Sequence, residues 1–286
     1  MQSVALPGRG DGVMALAHYG PQDRPVDLVF SHATGFNGLT YRTLLAPLAD
    51  RFHVLAMDLR GHGATTLSTD PADFNSWRRY SDDLLALLQV LDIHGAVLAG
   101  HSMGGSSSLL ATDQAPQRVK SLVLIDPVVH PGLATAELQR PVDGPASLRD
   151  GALKRRAVFA GRGAALQAYR GRGAFRSWPE AMLTDYVQAG FHDQPDGQVA
   201  LACAPAWEAA TYAAQDNDTV GALARAVRPM HVLQAQDNSA FRPGARAAEL
   251  VGVPGLRMEI IADTSHFLAM ERPDVVLGAL EAALTT

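Results

Sequence analysis

The chain has 286 residues, 47% of them hydrophobic and 19% charged, which is the composition of a globular protein able to bury a sizeable core. Its net charge of −5 gives no electrostatic reason to expect nucleic acid or an anionic membrane as a partner. Because the amino terminus lacks a secretory pattern and no apolar run approaches about 18 residues, we expect a cytoplasmic protein without a membrane span.

The first half of the chain alternates short apolar runs with helical patterns. Apolar residues recur at helical spacing over residues 41–49 and 77–91. The runs typical of buried strands are at residues 26–31, 52–57, 96–99 and 119–125. This alternation indicates βαβ units and a parallel sheet, in which ligands bind at the carboxyl ends of the strands. The turns after these four strands should therefore open onto one edge.

The pattern changes between residues 130 and 218, where strand-like runs vanish and glycine and proline separate helical stretches. The alternation then resumes, with two strands and two helices predicted at residues 230–233, 256–261, 244–251 and 273–284. We therefore predict an α/β core formed by residues 1–129 and 219–286. Residues 130–218 are predicted to be a helical cap insertion folded over the strand ends, not a separate sheet domain.

Residues 97–105 form an apolar run that breaks into a Gly-x-Ser-x-Gly motif centred on Ser102. A serine hydroxyl is a poor nucleophile unless the backbone presents it to a base, and a sharp turn from strand to helix does this. Gly100 and Gly104 lack the Cβ atoms that would collide in such a turn. Because an apolar run precedes the motif and a small-residue helical stretch follows it, Ser102 is the candidate nucleophile.

Ten histidines compete for the role of general base, and His266 is the best placed. It follows the last predicted strand, so its loop lies on the sheet edge that carries Ser102. Of the others, His62 is expected to shape a tight turn. His101 is expected to point away from Ser102, because neighbouring residues of a strand alternate faces.

Two aspartates are candidates for the acid that orients the histidine. The usual position in this architecture is the loop after the penultimate strand, but there Asn238 occupies the orienting slot and Asp237 is one residue out of register. Asp126 ends the strand that follows the nucleophile's helix, on the correct edge. We favour Asp126 over Asp237, although aspartate often occupies turns simply by hydrogen-bonding its own backbone.

An oxyanion hole needs backbone N–H donors aimed at the developing negative charge. The Met103 N–H directly follows the nucleophile and lies at a helix N-terminus, where the helix dipole adds partial positive charge. The turn after Ser31 should supply the second donor, for which the Thr34 N–H is the best candidate.

Four ordered motifs together resemble the α/β-hydrolase family over nearly the whole chain. They are His-Ala-Thr-Gly at residues 32–35, Asp-Leu-Arg-Gly-His-Gly at 58–63, Gly-His-Ser-Met-Gly-Gly at 100–105, and Ser-His-Phe with Glu-Arg-Pro at 265–267 and 271–273. The resemblance implies an α/β-hydrolase fold, with an eight-stranded, mostly parallel sheet flanked by helices. It also implies a helical cap inserted after the sixth strand.

Two departures from the family pattern bear on the chemistry. Ala33 stands where the family usually has glycine, a change that affects the tilt of the oxyanion loop. The missing acid at position 238 suggests the variant, found in the similar haloalkane dehalogenases, whose orienting acid follows the sixth strand. Those enzymes and epoxide hydrolases use an aspartate nucleophile, so Ser102 argues against both activities.

The predicted cap is rich in basic and aromatic residues. Its excess of cationic residues either attracts an anionic substrate or forms a solvated helical face, and the second is the more common case. These residues are Lys154, Arg155, Arg156, Arg162, Arg170, Arg172 and Arg176. Aromatic side chains should line an apolar pocket under the cap, and we assign His130, Trp207 and Tyr212 to this substrate pocket.

The sequence thus predicts a serine hydrolase, carboxylesterase- or lactonase-like, that acts on a small, largely apolar ester or lactone. C–C bond hydrolysis and perhydrolysis use the same triad, and a non-catalytic ligand receptor on this fold is the alternative of another class. No cluster has metal-ligand spacing and no nucleotide-binding glycine motif is found, so neither a metal nor another cofactor is expected. A monomer or a homodimer is expected.

Overall fold

The computed structural model describes residues 1–131, 145–214 and 217–286. Eleven strands form within these residues. In chain order they are β1 (Gln2–Val4), β2 (Met14–Tyr19), β3 (Leu28–Ser31), β4 (Val54–Met57), β5 (Ala96–His101), β6 (Val119–Ile125), β7 (Val158–Phe159), β8 (Phe191–Asp193), β9 (Val199–Leu201), β10 (Met230–Ala235) and β11 (Leu256–Ile261).

Eight of these strands form the main sheet, in the order β1-β2-β4-β3-β5-β6-β10-β11. The pairings of β1 with β2 and of β2 with β4 are antiparallel, and those from β4 across to β11 are parallel. The carboxyl ends of β3, β5, β6 and β11 therefore lie at one edge, as expected for an α/β-hydrolase fold. The predicted fold class is confirmed.

Helices cover both faces of the sheet. They are α1 (Arg42–Leu45), α2 (Arg78–Val90), α3 (Met103–Gln114), α4 (Pro145–Leu153), α5 (Arg162–Tyr169), α6 (Glu180–Ala189), α7 (Pro205–Ala213), α8 (Thr219–Ala224), α9 (Leu268–Glu271) and α10 (Pro273–Thr285). Shorter 3-10 helices are at Gly38–Tyr41, Ala46–Asp50, Pro71–Asp73, Pro116–Arg118, Gly173–Phe175 and Gly244–Leu250. None of the helices within the described ranges is long and apolar enough to cross a membrane.

The core consists of two apolar clusters separated by the sheet. All six residues of β5 are buried. Two consecutive residues of this strand, Val97 and Leu98, belong to opposite clusters. Burial on both faces explains why β3, β4 and β5 read as continuous apolar runs instead of alternating patterns. It also holds the ends of these strands in place, so the turns that follow them are well-defined positions for functional groups.

The expectation that strands are absent between residues 130 and 218 is wrong. β7, β9 and β8 form a small antiparallel sheet in this region, next to α5 and α6. Its strands have only two or three residues, too few to show a period of two in the sequence. Residues 132–144 and 215–216 of the predicted cap lie outside the described residues.

Candidate active site

Ser102 occupies a strained turn between β5 and α3. Its φ is +56° and its ψ is −123°, a conformation that side-chain-bearing residues rarely adopt. The turn is tight enough that a methyl group on Gly104 would lie 2.2 Å from the Ser31 carbonyl oxygen. One on Gly100 would lie 2.5 Å from the backbone of Gly104. The two glycines of the motif are therefore sterically required.

Ser102, His266 and Asp126 form one continuous chain of hydrogen bonds. His266 Nε2 lies 2.9 Å from Ser102 Oγ, and His266 Nδ1 lies 2.5 Å from Asp126 Oδ2. With Nδ1–H donating to the carboxylate, Nε2 is left to accept the serine proton. The His266 side chain is 26% exposed, whereas the Asp126 side chain is fully buried. A reactant from solvent can thus reach His266 but not Asp126.

The Asp126 carboxylate is held by four hydrogen bonds. Oδ1 accepts from the Ala235 N–H at 2.9 Å and from the Ser239 hydroxyl at 2.6 Å, while Oδ2 accepts from the Ala240 N–H at 2.9 Å and from His266. Burial alone would raise the pKa of this carboxyl, but the bonds from His266, Ser239 and Ala240 outweigh it and keep the pKa below its ordinary value. The carboxylate therefore stays charged and fixed.

The alternative acid lies elsewhere. Asp237 and Asn238 are both exposed at the end of β10, and the Asp237 N–H donates to the Thr264 carbonyl oxygen at 2.9 Å. Asn238 has a φ of +52°, a left-handed turn conformation that asparagine tolerates. The structure brings Asp126, not Asp237, to His266.

Met103 and Thr34 lie in neighbouring turns, and their side chains are in contact. The Thr34 hydroxyl contacts Met103 Sδ at 3.3 Å. The amides flanking Thr34 are already used: the Ala33 N–H donates to a tyrosine hydroxyl, and the Gly35 N–H donates to His62 Nε2 at 3.0 Å. Within the described residues, neither the Met103 N–H nor the Thr34 N–H has a hydrogen-bond acceptor. These two donors are available to a ligand.

Comparison with known proteins identifies the family. The model of the alpha/beta hydrolase family matches residues 28–279. The chain belongs to the alpha/beta hydrolase family. The resemblance seen in the four sequence motifs is thereby confirmed, and the protein is a hydrolase.

Relatives of this hydrolase have named activities. The 2-(acetamidomethylene)succinate hydrolase of Mesorhizobium japonicum is 26% identical over 255 residues, which cover 88% of this chain and 86% of that protein. The 3-oxoadipate enol-lactonase 2 of Acinetobacter baylyi is 30% identical over 126 residues, 44% of this chain and 46% of that protein. The crystal structure of E-2-(acetamidomethylene)succinate hydrolase superimposes with a TM-score of 0.80 at 22% identity, over 100% of this chain and 98% of that one.

Two buried histidines, His62 and His101, form hydrogen bonds that support the turns of the hydrolase site. These contacts were not predicted from the sequence. His62 Nδ1–H donates to the Arg60 carbonyl oxygen, which leaves Nε2 to accept from Gly35. His101 lies between Tyr41 and the base: its Nδ1 is 2.7 Å from the Tyr41 hydroxyl, and its Nε2–H donates to the His266 carbonyl oxygen at 2.7 Å. Burial, aided by the nearby imidazole of the base, lowers the pKa of His101 to about 3, so this ring stays neutral.

Glu271 belongs to the Glu-Arg-Pro motif at residues 271–273, but the motif does not indicate what its side chain contacts. Its carboxylate accepts from the Ser265 N–H at 2.7 Å and from the Ser265 hydroxyl at 2.8 Å. Since Ser265 precedes His266, these bonds fix the turn that presents the base. Only the short distance along the chain, six residues, would have suggested the pairing.

Residues from the inserted region cover the turns of the sheet edge. We call Arg155, Tyr186, Trp207 and Glu208 the roof, and the turns that carry Thr34, Ser102, Asp126 and His266 the floor. A methyl group on Gly35, next to Thr34, would lie 2.7 Å from Glu208 Oε1 and 3.2 Å from Arg155 Nη1. Roof and floor are thus in direct contact at the residue that follows Thr34.

The three residues assigned to the substrate pocket have different surroundings. Trp207 is 1% exposed, and its Nε1–H donates to the Arg60 carbonyl oxygen at 2.9 Å, so its ring packs over the second sheet-edge turn. Tyr212, on the same helix, is half-buried. His130 is buried, and its N–H donates to the Thr219 hydroxyl at 3.3 Å. Their assignment to a pocket remains a prediction.

Among the residues that the structure describes, no group of three or more His, Cys, Asp or Glu side chains is arranged to hold a metal ion.

Proposed function

We propose that this protein is a serine hydrolase that cleaves a small ester or lactone through an acyl-enzyme. Ser102 is the nucleophile, His266 the general base and Asp126 the residue that orients the base. The observation that carries this proposal is the unbroken hydrogen-bonded chain from Ser102 through His266 to Asp126, set on a strained turn.

The reaction follows from the contacts of each group. His266 Nε2 takes the Ser102 proton as Oγ attacks the carbonyl carbon, and the Met103 and Thr34 amides stabilise the resulting oxyanion. When the tetrahedral intermediate collapses, the bond to the leaving oxygen breaks and the proton on His266 passes to that oxygen. His266 then removes a proton from water, which attacks the acyl-enzyme and releases the carboxylic acid.

The relatives support this reaction class and a small substrate. One is named an enol-lactonase, and the names of both refer to derivatives of small carboxylic acids, succinate and 3-oxoadipate. A small acyl group also suits a site whose roof contacts the floor directly.

Ser102→Ala tests the proposal. We expect hydrolysis across a panel of p-nitrophenyl esters and lactones to fall by at least about 10³-fold, and fluorophosphonate labelling to disappear, while the urea midpoint of unfolding is unchanged. Ser107→Ala is the matched control, because this hydroxyl lies one turn further along α3 and donates to the Met103 carbonyl oxygen. Undiminished turnover in Ser102→Ala would refute the assignment. Slow labelling and no turnover in the wild type would favour a ligand receptor.

A further inference from the structure

The cationic residues of the inserted region are not equivalent in the structure. Arg162 pairs with Asp193, and Arg170 pairs with Glu180, in both cases with a carboxylate that is largely exposed. These arginines belong to an ordinary solvated face. Arg155 is different because its guanidinium pairs with the buried carboxylate of Glu208, within the roof.

Arg155 lies directly above the oxyanion turn. Its Nη1 is 3.2 Å from the position that a methyl group on Gly35 would occupy. Gly35 follows Thr34, whose N–H is one of the two available amides, and consecutive Cα atoms are only about 3.8 Å apart. A group bound to Arg155 would therefore lie a few bonds from a carbonyl carbon held at Ser102.

The Arg155 guanidinium is held by two hydrogen bonds that use only some of its N–H donors. Nη1–H donates to Glu208 Oε2 at 2.6 Å and Nη2–H donates to the Tyr186 hydroxyl at 2.9 Å. A guanidinium has five N–H donors, and the other three have no acceptor among the described residues. Glu208 and Tyr186 hold the group in place, which reduces the entropy lost when it binds a second partner.

The surroundings of Arg155 are otherwise apolar and aromatic. Tyr186 packs against Phe36 and Trp178, with ring centroids 5.5 and 6.0 Å away. Trp178 Nε1 is buried and has no acceptor among the described residues, a condition that a bound polar group would relieve. Low polarity strengthens a charge-assisted hydrogen bond made here.

We propose that Arg155 is a carboxylate-binding residue, and that the substrate is a small ester or lactone carrying a carboxylate a few bonds from the scissile carbonyl. This inference rests on the proposed serine hydrolase function. Because the Arg155–Glu208 pair is formally neutral, a bound carboxylate leaves one net negative charge at the roof. The contribution of Arg155 is therefore expected as moderate selectivity for anionic over neutral esters.

The test compares two methyl esters of nearly equal shape. Monomethyl succinate carries a carboxylate where methyl 4-methylpentanoate carries an isopropyl group, and pH-stat titration gives kcat/KM for both. We expect Arg155→Met to lower the anionic-to-neutral ratio of kcat/KM at least tenfold. Glu208→Gln removes the competing negative charge and is expected to raise the ratio. Arg170→Met, an equal charge change on the exposed face, should leave it within twofold.

A double variant guards against misfolding. Arg155→Met alone leaves Glu208 buried without its partner, whereas Arg155→Met with Glu208→Gln removes both charges together. If the pair only clamps the roof, both esters will lose rate equally and the ratio will keep its wild-type value in every variant, which overturns the proposal. A wild type that hydrolyses neither ester and resists fluorophosphonate refutes the serine hydrolase function itself. Ser102-dependent hydrolysis with an unchanged ratio refutes the role of Arg155 alone.

Discussion

The floor and the roof of the site are built by different means. In the floor, backbone geometry places the functional groups: Ser102 and Asp126 have φ angles of +56° and +39°, and Gly104 has no room for a Cβ atom. In the roof, side chains hold one another through the Arg155–Glu208 pair and the tilted ring contact of Tyr186 with Phe175. A floor position set by the backbone has no room for an added atom. A roof position set by side chains can be altered by replacing one side chain.

Under the proposed function, this difference places reaction and selectivity in separate parts of the molecule. The floor then supplies nucleophile, base, acid and oxyanion donors at the ends of β3, β5, β6 and β11, of which β3 and β5 are buried throughout. The roof supplies the groups that a substrate's remaining parts would touch. Floor substitutions should therefore act on every substrate alike, whereas roof substitutions should change which substrate is preferred.

Adding one methyl group to the floor and one to the inserted region should give the largest difference in stability. In Gly104→Ala the new carbon would lie 2.2 Å from the Ser31 carbonyl oxygen, so strand and helix must separate. We expect at least about 3 kcal/mol of lost stability, or no folded protein, measured by urea unfolding and soluble yield. Gly163→Ala, in α5 of the inserted region, meets nothing within 4 Å and should stabilise the protein by about 0.5–1 kcal/mol. Equal stabilities of the two variants would contradict a backbone-defined floor.

Asp126, the proposed orienting acid, should give the next largest effect. Asp126→Asn keeps the side-chain shape but replaces an acceptor with an amide, which favours the wrong tautomer of His266 and leaves an imidazolium unstabilised. We expect kcat to fall by about 10³–10⁴-fold on neutral and anionic esters alike. Asp237→Asn changes an exposed residue and should stay within twofold of wild type. Similar, mild losses in both variants would show that Asp126 does not orient the base.

Floor residues could be predicted because each has a local signature. Ser102 lies between two glycines after an apolar run, and His266 follows the last strand. Asp126 could be preferred over Asp237 because Asn238 occupied the usual slot. The bracing role of His101 was missed, since strand alternation says which face a side chain takes but not what it meets there.

The roof could not be predicted to the same depth. Arg155 is one of nine cationic residues between positions 130 and 218, and nothing in the neighbouring sequence separates it from Arg156. Its pairing with Glu208 spans 53 positions and depends on how the inserted region folds over the sheet. The strands β7, β8 and β9 could not be predicted either, because a strand of two or three residues shows no periodic pattern in the sequence.

His62 offers the subtlest test, because here a floor turn depends on a side chain. Burial lowers the pKa of His62 from 6.5 to about 4, so the ring is neutral in the native state when it accepts from Gly35. Between pH 6.5 and pH 4 the unfolded chain binds a proton at this ring that the native state does not. Stability contributed by neutral His62 is therefore complete above pH 6.5 and is lost as pH falls toward 4.

Replacing His62 by glutamine removes this proton linkage while keeping an acceptor for the Gly35 N–H. At pH 7 the variant should be about 1 kcal/mol less stable, because it loses the hydrogen bond to Arg60. On lowering the pH to 5, wild type should lose about 2 kcal/mol more than the variant, since other buried histidines titrate in both proteins and cancel. Urea unfolding at the two pH values measures both quantities. If the two proteins lose equal stability, His62 is not the neutral acceptor that holds Gly35, and the oxyanion turn is fixed by its backbone alone.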